Sequence, residues 1–168
     1  MFFEIGLILA LIVLNGVLAM SELAIVSARA GRLKPMAARS RGAAMALRLA
    51  EHPGRFLSTV QIGITMVGIL SGALSGATLG LRLQGWLAAQ GVDPEWAATL
   101  GVGGVVVAIT YVSLIIGELV PKQIALRNPE AVAMRMAPAM MVLSYVTTPL
   151  VVLLDISGRA LLWLLGVR

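Results

Sequence analysis

The stretch that decides the fold is the first apolar run, FFEIGLILALIVLNGVLAMSELAIVSA, at residues 2–28. It contains no lysine or arginine, and it exceeds the ~20 apolar residues that a helix needs to cross the hydrocarbon core of a bilayer. The whole chain is 59% hydrophobic and only 12% charged, whereas a soluble domain carries about 25% charged residues. We therefore predict an all-α membrane protein.

Two further apolar runs, at about 56–81 and 98–121, predict two more spanning helices. A fourth apolar stretch, 136–154, contains Pro138 and Pro149, and a proline within a helix removes a hydrogen bond and bends or breaks the helix. This stretch is either a kinked fourth span or a set of helices at the inner membrane edge. Hydropathy alone does not decide between them.

Basic residues are concentrated between the first two runs, where residues 29–55 hold seven of the thirteen. Such an excess is typical of a cytoplasmic loop, and it argues against nucleic acid as the partner. The segment is interpreted as a juxtamembrane helix on the membrane surface, with a solvated loop as the alternative. The same count predicts a multi-pass protein of the inner (plasma) membrane, with its N-terminus outside and its C-terminus in the cytoplasm.

Cysteine is absent and histidine occurs once, at His52. A bound metal would therefore depend on oxygen ligands, and a lone histidine is assigned no role. Neither a serine–histidine–acid triad nor a phosphate-binding glycine loop is credible here. We expect a membrane protein that is not an enzyme.

Glu118 is the first candidate ligand, because an ionisable group inside a spanning helix is costly and commonly functional. Pro121 lacks a backbone N–H, so the carbonyl of Gly117 loses its partner four residues on. A carboxylate and a freed carbonyl at neighbouring positions are hard oxygen ligands, suited to Mg²⁺ or Ca²⁺. The alternative is a plain helix end in which Glu118 pairs with Lys122.

The first two helices carry further polar candidates. Ser71 and Ser75 lie one turn apart, beside a ladder of small residues predicted to allow close helix approach: Gly68, Gly72, Gly76 and Gly80. Their hydroxyls either complete an ion's oxygen shell or bond to their own helix. On the first helix, Asn15 and Glu22 share a face, with Ser21 alongside. Glu22 is a second cation contact, a protonated acid or an interfacial residue paired with an arginine.

Three blocks together resemble the CorC/cyclin M (CNNM) family transmembrane domain. They occur in the family's order and spacing, and the resemblance covers essentially the whole chain: Asn15 to Ala24 running into Arg29, Thr59 to Thr65, and Gly117 to Lys122.

The resemblance implies a homodimer whose subunits each have three spanning helices plus juxtamembrane helices. It implies export of Mg²⁺ from the cytoplasm, coupled to Na⁺ entry, around a largely dehydrated ion. Carried over to this sequence, the ion is bound by Glu118 and the Gly117 carbonyl, with Ser21, Ser71 and Ser75 as partners and Asn15 or Glu22 close by.

Family members normally continue into a nucleotide-binding CBS pair and a smaller C-terminal domain. Residues 1–168 are therefore expected to form an isolated transmembrane domain without these cytoplasmic domains. A cytoplasmic continuation places residue 168 inside, which favours juxtamembrane helices over about 129–168 rather than a fourth span.

Two other classes of function remain open. One is a non-transporting membrane regulator or scaffold, in which the polar residues only hold helices together. The other is a proton-coupled exporter of organic cations with Glu22 or Glu118 as proton carrier, which requires an aromatic-lined pocket.

Overall fold

The computed structural model describes residues 2–166, which form helices joined by short turns and contain no strand. Two helices pass into short π-helical segments, defined here as the first π segment, Gly76–Gly80, and the second π segment, Ile115–Leu119. The α-helices are α1 Phe2–Ser27, α2 Ala30–Ala37, α3 Arg41–Glu51, α4 Pro53–Ser75, α5 Leu81–Ala89, α6 Pro94–Leu114, α7 Val120–Arg127 and α8 Pro129–Leu164.

The predicted all-helical membrane fold is confirmed, but the number of candidate spans differs from three. Within the described residues, four helical stretches have the length and hydropathy to cross a bilayer: Phe2–Ser27, Pro53–Ala89, Pro94–Arg127 and Pro129–Leu164. The last stretch is one continuous helix, whereas the sequence predicts several juxtamembrane helices over about 129–168. Residues 167 and 168 of that range lie outside the described part of the chain. Pro138 and Pro149 both lie inside this continuous helix. A proline removes one hydrogen bond, and packing or small adjustments of the backbone allow a membrane helix to continue past it.

Local capping explains where two of these helices begin. The Asp93 carboxylate accepts a hydrogen bond from the Glu95 N–H at 3.0 Å, and Pro94 occupies the first helical position of α6. At α8, the Asn128 side chain accepts from the Ala131 N–H at 3.4 Å, and Pro129 follows it. Polar N-caps and a proline at the first position both favour helix initiation.

The basic segment 29–55 contains two helices, α2 and α3, and the first residues of α4. Its place on the membrane surface stays a prediction. Ser40 is the N-cap of α3, since its hydroxyl accepts a hydrogen bond from the Ala43 N–H at 3.4 Å. α3 buries Ala43, Ala46 and Leu49, and it packs closely on α8, because a Cβ at Gly42 would collide with the Met134 carbonyl.

The described residues form two compact units. The first comprises 2–20 and 63–127, and the second comprises 21–62 and 128–166. In the first unit α5 packs against α6 with almost no space between backbones. A Cβ at Gly101 would lie 2.7 Å from the Gln84 Cα. The first π segment is also close to α6, since a Cβ at Gly80 would lie 3.1 Å from the Val102 Cα.

From the contact between α5 and α6 we predict that adding a methyl group lowers stability at one glycine of α6 and not at another. Gly101→Ala should lower the free energy of unfolding by about 1–3 kcal/mol, the usual range for overpacking, because backbone atoms must move to admit the methyl group. Gly104→Ala is the matched control on the same helix, since a Cβ there meets nothing within 4 Å among the described residues. Thermal unfolding in detergent compares the two, and equal melting temperatures would contradict the predicted contact.

Candidate functional site

Two glycines bring α1 against the second π segment. A Cβ at Gly16 would lie 2.9 Å from both the Ile116 carbonyl oxygen and the Pro121 Cγ. A Cβ at Gly117 would lie 3.3 Å from the Ile12 carbonyl oxygen and from the Asn15 Nδ2. The two backbones therefore touch where the dipeptides Asn15–Gly16 and Gly117–Glu118 meet.

Pro121 shapes the backbone at this contact. The second π segment precedes it, and the Val120 N–H bonds to the Ile115 carbonyl, five residues back. The Gly117 carbonyl accepts a hydrogen bond from the Asn15 Nδ2 at 3.1 Å. The carbonyl expected to be freed by Pro121 is thus satisfied by a side chain of another helix, as buried membrane backbone requires.

That hydrogen bond fixes the orientation of the Asn15 amide. A carbonyl oxygen can only accept, so the nitrogen of the amide must face Gly117. The opposite atom, Oδ1, is buried and has no hydrogen-bond partner within residues 2–166. The Ser71 Oγ is likewise buried and unpartnered there. A buried oxygen without a hydrogen-bond donor costs roughly 1–3 kcal/mol, so a bound water or a ligand is expected to satisfy each of these two.

Both residues line one cavity of about 190 Å³ in the first unit. Glu118 supplies its only carboxylate among the described residues, and α6 adds the hydroxyls of Thr110 and Ser113. The remaining wall is apolar or glycine: Leu11, Ile12, Val67, Gly68, Gly72, Ile109 and Leu114.

The polar side chains that line this cavity offer only oxygen atoms as metal ligands, and one of them, the Glu118 carboxylate, is charged. No group of three or more histidine, cysteine, aspartate or glutamate side chains that could hold a metal occurs in the described part of the chain. Carboxylate, amide and hydroxyl oxygens are the ligands of hard cations such as Mg²⁺. One charge with several neutral oxygens suits reversible binding better than permanent retention.

The Glu118 carboxylate forms an ion pair with the Lys122 ammonium, four residues later, at 2.7 Å. This is the pairing considered as the alternative to a cation site. Both side chains are partly exposed, 43% for Glu118 and 35% for Lys122. The Glu118 carboxylate therefore already has a cationic partner in this structure.

The four glycines of the second candidate span, Gly68, Gly72, Gly76 and Gly80, do not all lie at a close helix contact. Close approach to another helix occurs at Gly80, whereas a Cβ at Gly68, Gly72 or Gly76 would meet nothing within 4 Å among the described residues. Gly68 and Gly72 instead line the cavity. Their missing side chains leave space for a ligand beside Ser71.

The other predicted ligands are placed differently. Ser75 is buried, but its hydroxyl donates to the Gly72 carbonyl of its own helix at 3.0 Å, and it is not among the described residues that line the cavity. Ser21 is fully buried and Glu22 half-buried. Both belong to the second unit, and their roles as cation ligands stay predictions.

One buried acid escaped the sequence-based reasoning. Glu130, in the first turn of α8, is only 7% exposed. Its carboxylate accepts a hydrogen bond from the Arg29 N–H at 3.5 Å and lies 3.8 Å from the Arg32 guanidinium. Glu130 follows Asn128 and Pro129 at the start of a helix, where an acid interacts favourably with the helix dipole. That position does not predict that Glu130 is buried against the start of α2.

Comparison with known proteins identifies the family of the chain. The model of the cyclin M transmembrane N-terminal domain matches residues 6–168. A UPF0053 protein of Synechocystis sp. is 50% identical over 98% of this chain and 37% of its own length. The polyamine export protein of Haemophilus influenzae is 31% identical over 92% of this chain and 36% of its own length. That of Escherichia coli K12 is 32% identical over 88% of this chain and 33% of its own length.

The chain thus spans about a third of the length of the curated relatives that it matches. The family match covers nearly every residue, including the α1 and second-span blocks and the Gly117–Glu118 pair. The chain is a multi-pass helical membrane protein and belongs to the cyclin M transmembrane domain family.

Proposed function

We propose that this chain exports Mg²⁺ from the cytoplasm through the cavity at Asn15, Ser71 and Glu118. The observation that carries the proposal is the pair of buried, unpartnered oxygens, Asn15 Oδ1 and Ser71 Oγ, in the cavity that Glu118 lines. A cation satisfies both oxygens and the carboxylate at once, which a neutral ligand without donors does not.

The chemistry of the cavity favours a small hard cation. Mg²⁺ requires near-octahedral oxygen coordination and gives up its water reluctantly. A cavity of about 190 Å³ is far larger than a bare ion, so waters can stay bound while protein oxygens replace some of them. The hydroxyls of Thr110 and Ser113 on the wall are available to hold those waters.

Transport requires the site to open alternately to each side of the membrane. The two π segments are the natural places for this change, since π-helical turns mark functional positions in helices and follow directly after Ser75 and Leu114. Mg²⁺ enters from the basic, cytoplasmic side and leaves on the other, and Na⁺ entering the cell favours the Mg²⁺-free arrangement. Thr110, on the cavity wall, is exposed, so a second copy of the chain is proposed to complete the wall in a homodimer.

Removing the carboxylate tests the site. Glu118→Gln should reduce Mg²⁺ flux in proteoliposomes to the level of protein-free vesicles, because the cavity then holds no charge to offset ion dehydration. Glu95→Gln is the matched control, since Glu95 is exposed at the start of α6, away from the cavity. Unchanged flux in Glu118→Gln would refute the site assignment.

The two serines of the second span provide a finer test. Ser71→Ala removes a cavity oxygen with no other partner and should weaken the apparent Mg²⁺ affinity by about tenfold or more, as for loss of one bond to a charged group. Ser75→Ala removes a hydroxyl committed to its own helix and should change the affinity much less. Isothermal titration of both variants measures the difference, and a larger effect at Ser75 would reverse the assignment.

Export of an organic polycation is the second candidate, because the two relatives described above from Haemophilus influenzae and Escherichia coli K12 are named polyamine export proteins. The cavity's apolar wall could accommodate methylene groups. Against it, a linear polyamine carries separated ammonium groups, and the described lining holds one carboxylate and no aromatic side chain.

Parallel flux measurements separate the two cargoes. In the same proteoliposomes, we expect Mg²⁺ transport that excess spermidine inhibits weakly, and no transport of labelled spermidine. Spermidine flux that Glu118→Gln abolishes, with no Mg²⁺ flux, would establish the second candidate. A melting temperature raised equally by Mg²⁺ and by matched ionic strength, without flux of either cation, would favour a regulator or scaffold.

A further inference from the structure

A second cavity, of about 380 Å³, lies in the second unit, and its lining includes none of the predicted cation ligands. It is formed by the end of α3, the start of α4 and the middle of α8. Its lining combines basic, polar and apolar residues: Arg48, Leu49, Glu51, His52, Arg55, Phe56, Met141, Ser144 and Tyr145.

The rim of this second cavity is suited to an anion. Two arginines, Arg48 and Arg55, face it with a single acid, Glu51, and both are exposed at its edge. The Arg55 Nη2 donates to the Thr148 hydroxyl at 2.7 Å, and that hydroxyl donates to the Ser144 carbonyl at 2.7 Å. The guanidinium is thereby oriented, while its other N–H groups remain able to bind a phosphate.

The floor and one side of the second cavity are apolar. Leu49 and Phe56 are buried beneath it. On α8 the wall residue Tyr145 is 74% exposed, and the neighbouring Val142 and Val146 are 64% and 71% exposed. An apolar strip on a candidate spanning helix therefore begins at the mouth of a basic cavity.

We propose that the second cavity binds the headgroup of an anionic phospholipid, with its acyl chains along the apolar strip of α8. The two arginines neutralise the phosphate, and the Tyr145 and Ser144 hydroxyls are placed to bond its oxygens or the glycerol. Basic pockets beside spanning helices are a recognised mode of binding for such headgroups. A free phosphate ion gains nothing from the apolar strip, so the combination favours a lipid.

Native mass spectrometry of the whole chain in neutral detergent tests the proposal. Phosphatidylglycerol and phosphatidylcholine with the same acyl chains are added separately, and the apparent dissociation constant of each is measured. We expect tighter binding of phosphatidylglycerol, with about fivefold of the preference lost per arginine replaced. Arg48→Gln/Arg55→Gln should then bind both lipids alike.

Lys34→Gln/Arg39→Gln is the matched control, because it removes the same charge from exposed positions of the basic segment outside the second cavity. It should keep the preference. Arg48→Gln alone leaves the Arg55–Thr148 bond intact. A partial loss of the preference for phosphatidylglycerol in this variant would therefore reflect lost binding rather than lost folding.

Three outcomes would overturn the proposal. The first is equal binding of both lipids by the unmodified chain, and the second is an equal loss of preference in the control. The third is full displacement of phosphatidylglycerol by millimolar inorganic phosphate, which would show that the second cavity recognises the ion rather than the lipid.

Discussion

The hydrogen bond from the Asn15 amide to the Gly117 carbonyl is the interaction on which the candidate cation site depends. Hydrocarbon offers no water to satisfy a carbonyl that a proline has deprived of its partner, so another helix must supply a donor. That donor reaches the carbonyl only because Gly16 and Gly117 let the two backbones touch. One constraint, set by Pro121, thus determines which residues of α1 face the third candidate span.

Satisfying the carbonyl has a second effect on the amide itself. Its nitrogen is committed to Gly117, which leaves its oxygen buried and without a protein donor. The same bond that joins the two helices therefore leaves free the oxygen that we propose as a cation ligand. In the proposed site, Asn15 would both join the two helices and bind the cation.

Much of this could be predicted from the sequence, for identifiable reasons. Long apolar runs without basic residues indicate spanning helices, and Glu118 beside Gly117 and Pro121 is conspicuous in such a run. The partition between Ser71 and Ser75 could not be predicted, because it depends on which hydroxyl meets its own helix carbonyl and which meets a cavity. The continuity of α8 past Pro138 and Pro149 could not be predicted either. A proline removes one helical hydrogen bond, but the sequence does not show whether the helix continues past it.

The ion pair between Glu118 and Lys122 has an electrical consequence. Together the two side chains carry no net charge, so in the proposed cycle this pair moves no net charge through the membrane when Mg²⁺ is absent. Loading Mg²⁺ raises the net charge of the same group by two. Each charge moved through the full field is worth about 2.3 kcal/mol per 100 mV. A voltage that is negative inside therefore opposes the outward movement of the loaded form, and coupling to an inward cation offsets that penalty.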